Sequence, residues 1–256
     1  MFAEERQQEI IKMLYENGAI KVNHLSKTFR VTEETIRRDL EKLEVENKLK
    51  RTHGGAIVLD TKNDDEIPFK EREVLMAKEK QSIANEAAKL VEENDVIFLD
   101  ASSTALYVAK ALPNIQMKVL TNSLIVAFEL SKKTNIEIIL TGGNLVQNSF
   151  SLIGPTTIQS LKNYYVNKMF LSCKGFDFSL GISDSNEQQA AVKRTVMERS
   201  EKIILMADHS KINKKSFVQI GSIDVVDIII VDDYVSREYF SFYEFKDKKI
   251  IYSKLN

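Results

Sequence analysis

Val31-Thr32-Glu33-Glu34-Thr35-Ile36-Arg37-Arg38-Asp39-Leu40, followed by Leu49-Lys50-Arg51-Thr52-His53-Gly54-Gly55-Ala56, is the stretch on which the reading of this chain turns. Thr32 is placed to cap a helix, and Glu33 and Glu34 put negative charge in its first turn, where the helix dipole favours it. Ile36, Leu40 and Leu43 fall at i, i+4 and i+7, so they form one buried stripe. Glu34, Thr35, Arg38 and Lys42 then face outward, with Arg37 on the flank. Leu49–Thr52 and Ala56–Leu59 read as two short strands around His53-Gly54-Gly55, a tight turn in which glycine supplies positive φ.

Upstream, Ile10, Met13 and Leu14 give a first helix one apolar face, and Asn17-Gly18 stops it. Ala19–Val22 reads as a short extended piece. Asn23 is placed to cap a second, very short helix carrying Leu25 and Lys27, and Phe29-Arg30-Val31 turns the chain toward the third. Three helices and a basic hairpin make the pattern of a winged helix-turn-helix, whose later helix enters the major groove of DNA while the wing touches backbone or minor groove. Arginine can pair with guanine edges through two hydrogen bonds, and hydroxyls such as that of Thr35 reach bases or phosphates. Between Lys21 and Gly55 nine basic residues stand against six acidic ones. On charge alone, Arg37, Arg38 and Lys42 fit better a solvated face paired with Glu34, Glu41 or Glu46, the commoner meaning of mixed charge on a helix.

The whole chain bounds these possibilities. Its 256 residues, 43% hydrophobic and 29% charged with only 9 Gly and 3 Pro, suit one or two globular domains with sizeable cores. The single cysteine, Cys173, excludes an intramolecular disulfide and suits a reducing compartment; no Cys/His cluster offers a zinc site, so no metal or cofactor is expected. The N-terminus lacks a signal-peptide pattern and no apolar run has membrane-spanning length, so the expectation is a soluble, cytoplasmic protein without a membrane partner. With 36 basic and 37 acidic residues, nucleic-acid binding must come from a local patch.

From Asp60 to Pro68 the sequence turns polar and acidic without periodicity, which reads as an exposed connection. The expected organisation is therefore a DNA-binding domain at 1–58, a linker at 59–68 and a second domain at 69–256. Beyond the linker, apolar runs at Val96–Leu99, Val119-Leu120, Ile136–Leu140, Met169–Leu171, Ile203–Met206 and Val226–Val231 alternate with helical stretches, which argues for a mainly parallel sheet covered by helices. The fold class is α/β, a winged helix-turn-helix joined to that sheet domain.

The quoted helix and wing resemble the DNA-binding signature of the DeoR family of bacterial transcription regulators, and the resemblance continues from Ile67-Pro68-Phe69-Lys70-Glu71-Arg72 to the strand near Val231. It implies that Thr32, Glu34, Thr35, Arg37, Arg38, Lys42, Lys50, Arg51, His53 and Gly54 meet DNA. His53 also fits a turn residue that bonds its own backbone. The resemblance further implies a second domain like ribose-5-phosphate isomerase that binds a phosphorylated sugar and thereby changes operator binding.

Tested against the residues, Asp100-Ala101-Ser102-Ser103-Thr104 sits between a buried strand and a helix, where amides and hydroxyls form an anion site at a strand's carboxyl end. Ordinary capping by Ser102 or Ser103 explains the same residues without a ligand. The family usually has Gly where this chain has Ser102. Asn122 and the pair Gly142-Gly143 follow two further strands and suit walls of the same crevice, although the glycines fit a plain turn as well. Lys174 and Glu187 are candidate polar anchors; Lys193 could also meet the phosphate, but in mid-helix it reads rather as a solvated charge. Cys173 reads as a small buried residue beside the site.

The competing reading is a sugar-phosphate isomerase with a DNA-binding appendage, since Asp100, Asp177 and Glu187 lie near strand ends where a carboxylate base is needed. The family pattern usually has Asp where this chain has Lys174, and lysine suits binding an anion better than abstracting a proton. A protein-interaction module using the third helix is a further class. The resulting expectation is a non-catalytic repressor of a carbohydrate operon. Its expected partners are double-stranded operator DNA and a phosphorylated sugar, and its expected assembly is a dimer or tetramer.

Overall fold

The computed structural model describes residues 2–46, 48–57, 67–241 and 248–255. The chain divides between residues 63 and 64 into two compact units. Most of the expected linker, and Val58 and Leu59 of the second wing strand, lie outside the described residues.

The first unit runs α1 (Ala3–Asn17), β1 (Ala19–Lys21), α2 (Val22–Phe29), α3 (Glu33–Val45), β2 (Lys50–Thr52) and β3 (Gly55–Ile57). Ile10, Leu14, Leu25, Ile36, Leu40, Leu43 and Leu49 close its core. Gly18, at φ 72°, ends α1 in the left-handed conformation that glycine accepts cheaply. Two local expectations need correction. The second helix begins at Val22, with Lys21 rather than Asn23 at its cap position and no side-chain cap, because the buried Val22 and Leu25 fix its start. Neither Gly54 nor Gly55 has positive φ. Gly55 is needed for close approach instead, since a Cβ there would lie 1.8 Å from the Ile20 carbonyl oxygen on the paired strand β1.

The second unit runs α4 (Phe69–Val74), α5 (Ala77–Ala88), β4 (Val96–Leu99), α6 (Ser103–Ala111), β5 (Met117–Thr121), α7 (Leu124–Leu130), β6 (Ile136–Leu140), β7 (Asn144–Val146), β8 (Ser151–Ile153) and α8 (Pro155–Leu161). It continues with β9 (Val166–Ser172), β10 (Gly175–Asp177), β11 (Gly181–Asp184), α9 (Glu187–Met197), β12 (Ser200–Ala207), β13 (Val218–Gly221), β14 (Ile228–Asp232), α10 (Arg237–Ser241) and β15 (Lys249–Ser253). Seven strands form one sheet in the order β15-β14-β12-β9-β4-β5-β6, and every neighbouring pair is parallel.

Alternate residues of its central strands feed two cores. Ile97, Leu99, Val119 and Phe170 meet α5 and α6 on one face, while Phe98, Leu120, Met169 and Leu171 meet α9 on the other. Burial on both faces explains why these strands are continuous apolar runs rather than alternating ones.

The order also fixes where a ligand crevice belongs. From β4 the chain steps outward through β5 to β6, whereas from β9 it steps the opposite way through β12, β14 and β15. β4 and β9 therefore flank a topological switch point, and the space beyond their carboxyl ends is left open by connections that leave to opposite faces. A smaller antiparallel sheet, β10-β11-β13, lies beside α9 and was absent from the sequence reading, as was the edge strand β15.

Candidate functional site

Two surfaces carry the chemistry, one in each unit. In the first, Thr32 caps α3, its Oγ1 accepting from the Thr35 backbone N–H at 3.2 Å and lying 2.9 Å from the Thr35 hydroxyl. Arg37 donates to Glu33 at 2.7 Å and Arg38 lies 3.5 Å from Glu34, both pairs one turn apart on the helix surface. Such exposed pairs contribute at most about 0.5 kcal/mol each, so a phosphate or base edge can displace them. Lys42 is exposed in the last turn, and Lys50 is exposed on β2. Arg51 is half-buried, its backbone N–H donating to Glu44 of α3 at 2.9 Å, which ties the wing to that helix. His53 and Gly54 form the exposed tip of the hairpin.

Sequence reasoning missed what holds α3. Asp39 had been counted among the six acidic residues, yet it is 5% exposed and accepts from Arg6 Nε at 2.6 Å and Gln7 at 2.9 Å. Its charge is spent on α1, so the outer face of α3 and the wing is more basic than the count implied.

In the second unit the switch point is occupied by a buried ionic cluster. Asp100, directly after β4, accepts through Oδ2 from the Ser172 backbone N–H at 3.0 Å and its hydroxyl at 2.6 Å, which joins the ends of β4 and β9. Lys193 of α9 reaches the same place. Its Nζ donates to Asp184 at 2.6 Å and to the Ser172 carbonyl at 2.9 Å, and stands 3.4 Å from Asp100 Oδ2. The expectation of a solvated Lys193 is thus overturned: the residue is buried, and its three donors face a carbonyl and two carboxylates. Burial opposes the ammonium, but Asp184 and Asp100 outweigh it and hold its pKa above the ordinary lysine range. Burial likewise opposes the Asp184 carboxylate, and Lys193 outweighs it, so that carboxyl stays below the usual range. Cys173 is buried beside the cluster, and desolvation pushes its thiol up to about 12, which leaves it unreactive.

The other expected ligand residues separate into groups. Ser102 caps α6, accepting from the Ala105 backbone N–H at 2.9 Å, and Ser103 and Thr104 follow as buried residues of the first turn. The amides of that first turn have no intrahelical partner by helix geometry. Asn122 directly follows β5, next to Asp100, and donates to the Leu152 carbonyl at 3.0 Å. Lys174 follows β9 and acts electrostatically on Asp184. Gly142 and Gly143 follow the edge strand β6, two strands and about 10 Å from β4 by sheet spacing. At φ 120°, Gly143 touches Thr157, where a Cβ would come within 2.0 Å of its hydroxyl. Glu187 is exposed at the start of α9. Residues that sequence reasoning did not place at the site are Ser172, Asp184 and Gln189, the last bonded to the Ser151 hydroxyl.

A groove of about 760 Å³ lies at the opposite, amino ends of β5 and β6, lined by Glu93, Asn114, Lys118, Asn135 and Glu137. The carboxyl edge of a parallel sheet, at the other end of these strands, is where α/β proteins bind ligands. Among the described residues, no cluster of His, Cys, Asp and Glu is arranged for a metal ion, and no helix is long and apolar enough to cross a membrane.

Comparison with known proteins agrees with this division. Residues 6–62 match the model of the DeoR-like helix-turn-helix domain, and residues 75–233 match that of the DeoR C terminal sensor domain. The chain is 53% identical to the HTH-type transcriptional regulator YulB of Bacillus subtilis over 91% of this chain and 90% of the relative. It is 37% identical to the L-fucose operon activator of Escherichia coli over 89% and 94%, and 35% identical to the transcriptional repressor GlcR of Bacillus subtilis over 91% and 89%. A solved D-ribose-5-phosphate isomerase overlaps 52% of each chain at 18% identity, with a TM-score of 0.39. With both units matched in order and regulators rather than enzymes among its relatives, the chain belongs to the DeoR family of helix-turn-helix transcription regulators.

Proposed function

We propose that this regulator is a repressor of a carbohydrate catabolic operon and that a phosphorylated sugar, bound at the carboxyl edge of the parallel sheet, changes its affinity for operator DNA. The observation that carries this reading is the switch point itself, where the start of α6 stands beside a buried lysine-carboxylate cluster. The α6 start, with Ser102, Ser103 and Thr104, and Lys174 hold the phosphate; Asp100 and Asn122 line the adjoining crevice, Gly142 and Gly143 its outer wall, and Glu187 its rim. Thr32, Glu34, Thr35, Arg37, Arg38, Lys42, Lys50, Arg51, His53 and Gly54 form the DNA surface, with domains at 1–58 and 69–256 and a linker between. One recognition helix covers little DNA, so two copies reading paired half-sites complete the assembly.

The test is operator binding titrated with a panel of sugar phosphates. Linkage requires a compound that weakens operator binding to be bound more weakly, by the same factor, in the presence of operator. Replacing Ser103 and Thr104 by bulky apolar residues should abolish the response and leave DNA binding intact. The activator reading, favoured by the L-fucose operon relative, predicts instead that the compound raises transcription through a complex that stays on DNA.

A further inference from the structure

Two buried oxygens at the switch point have no hydrogen-bond partner among the described residues: Asp100 Oδ1 and Asn122 Oδ1. Asp100 is 1% exposed and Asn122 is fully buried. Each residue satisfies its other polar atom within the fold, Asp100 Oδ2 on Ser172 and Asn122 Nδ2 on the Leu152 carbonyl. Buried acceptors left unmade are costly, and a carboxylate oxygen more so than an amide.

Their placement is not scattered. β4 and β5 pair with Leu99 beside Thr121, so Asp100 and Asn122 are the next neighbours on strands about 4.8 Å apart. Strand alternation puts them on the side of Phe98 and Leu120, the face covered by α9, whereas α6 belongs to the other face. Ser185, just before α9, adds a third unpartnered atom, its hydroxyl.

Both unpaired oxygens of Asp100 and Asn122 are acceptors. A phosphate near neutral pH carries mostly acceptors and negative charge, and the carbonyl of an open-chain sugar is an acceptor too, so neither can satisfy them. A hydroxyl can. We propose that Asp100 Oδ1 and Asn122 Oδ1 accept hydrogen bonds from hydroxyls on the carbon chain of the effector, so that the ligand lies across the switch point with its phosphate at the start of α6 and its polyol end toward α9. This rests on the sugar-phosphate reading above and gives Asp100 and Asn122, which line the crevice in that reading, the task of selecting hydroxyls. Asp100 is the specificity residue, and Lys193 is a positioning residue that holds its carboxylate in place.

The test uses the full chain and isothermal titration with inorganic phosphate, D-ribose 5-phosphate, D-fructose 6-phosphate and glycerol 3-phosphate. At least one of the three polyol phosphates should bind about tenfold or more tighter than inorganic phosphate. Asp100→Asn replaces a charged acceptor, the stronger partner for a hydroxyl, by a neutral amide, and should lower that affinity about tenfold. The same variant should bind inorganic phosphate as well as before or better, because a negative charge has been removed; a merely structural role would weaken both. Asn122→Leu, of similar volume, gives a second reading should Asp100→Asn fold poorly by circular dichroism. Polyol-phosphate affinity unchanged in a folded variant overturns the hydroxyl assignment and leaves the sugar-phosphate reading standing. Binding of none of the three by the unaltered chain overturns both.

Discussion

Replacing Lys193 by methionine keeps most of the side-chain volume and removes one charge from between two buried carboxylates. In the native cluster Nζ lies 2.6 Å from Asp184 Oδ2 and 3.4 Å from Asp100 Oδ2, with Asp184 3% and Asp100 1% exposed. Removing one partner of a buried ion pair costs about 3–5 kcal/mol, because the other charge stays behind without compensation. Two carboxylates are stranded here, so the upper half of that range is expected at pH 7, a large part of the stability of an ordinary domain. A solvated lysine would change stability by no more than about 0.5 kcal/mol.

The pH dependence gives an independent check. In the native protein Lys193 holds the Asp184 carboxyl low, so its stabilisation is present at neutral pH and is lost only in acid, as pH falls through the depressed pKa. Without the ammonium, burial is opposed only by Lys174 and the Ser185 amide, and that pKa moves up from its native position. The folded variant then holds a proton to higher pH than the folded native protein does, so its deficit against the native protein shrinks as pH falls. Urea denaturation followed by far-ultraviolet circular dichroism at pH 7 and pH 5 measures both, the chain having no tryptophan. A loss below about 1 kcal/mol at pH 7, or a deficit that does not shrink at pH 5, would refute the argument from burial.

Three further outcomes follow from the structure. Asp39→Ala strands the buried Arg6 and should cost about 3–5 kcal/mol, enough to melt the small winged unit and abolish DNA binding while effector binding by the second unit persists. Arg38→Ala should lose roughly 1–3 kcal/mol of discrimination at one operator position, whereas the loss from Lys50→Ala should be similar on every sequence; mobility shifts on a set of single-base operator variants separate the two. Lys80 is buried against the Arg72 and Leu75 carbonyls, and burial lowers its pKa to about 7. Between pH 7 and 8.5 the unfolded chain therefore holds a proton that the folded one sheds, and stability should rise by about 1–2 kcal/mol, a slope absent from Lys80→Met.

What could be read in the sequence, and what could not, follows from the range of the interactions. Thr32, the Ile36-Leu40-Leu43 stripe, Gly18 and six of the seven strands of the parallel sheet depend on local spacing, and each stands where that spacing put it. β15 and the small β10-β11-β13 sheet rest on pairing between distant segments, for which no local pattern exists. Lys193 lies between these cases. It is three residues from Ala190 and three from Val196, on the buried stripe of α9, and that position was a legible sign of burial. The identity of its partners was not legible, because Asp184, Asp100 and Ser172 come from three different strand ends. Asp39 sits next to Leu40 and is buried with it, yet its partner Arg6 is on another helix.

The same cluster bears on why a sheet edge rich in carboxylates belongs to a regulator. A general base for sugar isomerisation works best with a pKa near the operating pH and an open path to the carbon-bound proton. Asp184 has neither, since Lys193 holds its pKa below the ordinary range and both its oxygens are engaged, Oδ2 by Lys193 and Oδ1 by the Ser185 backbone N–H. Asp100 spends one oxygen on Ser172 and Lys193, fixing the geometry of the other. Asp177 accepts from the Ser179 and Leu180 backbone amides at the turn between β10 and β11, away from both. Carboxylates pinned in this way are poor proton carriers and good rulers: they hold acceptors at set positions and cannot move to follow a reaction. The ion-paired cluster also joins β4, β9, β11 and α9 through side chains from all four, so its acceptors are held by the packing of the sheet rather than by one loop.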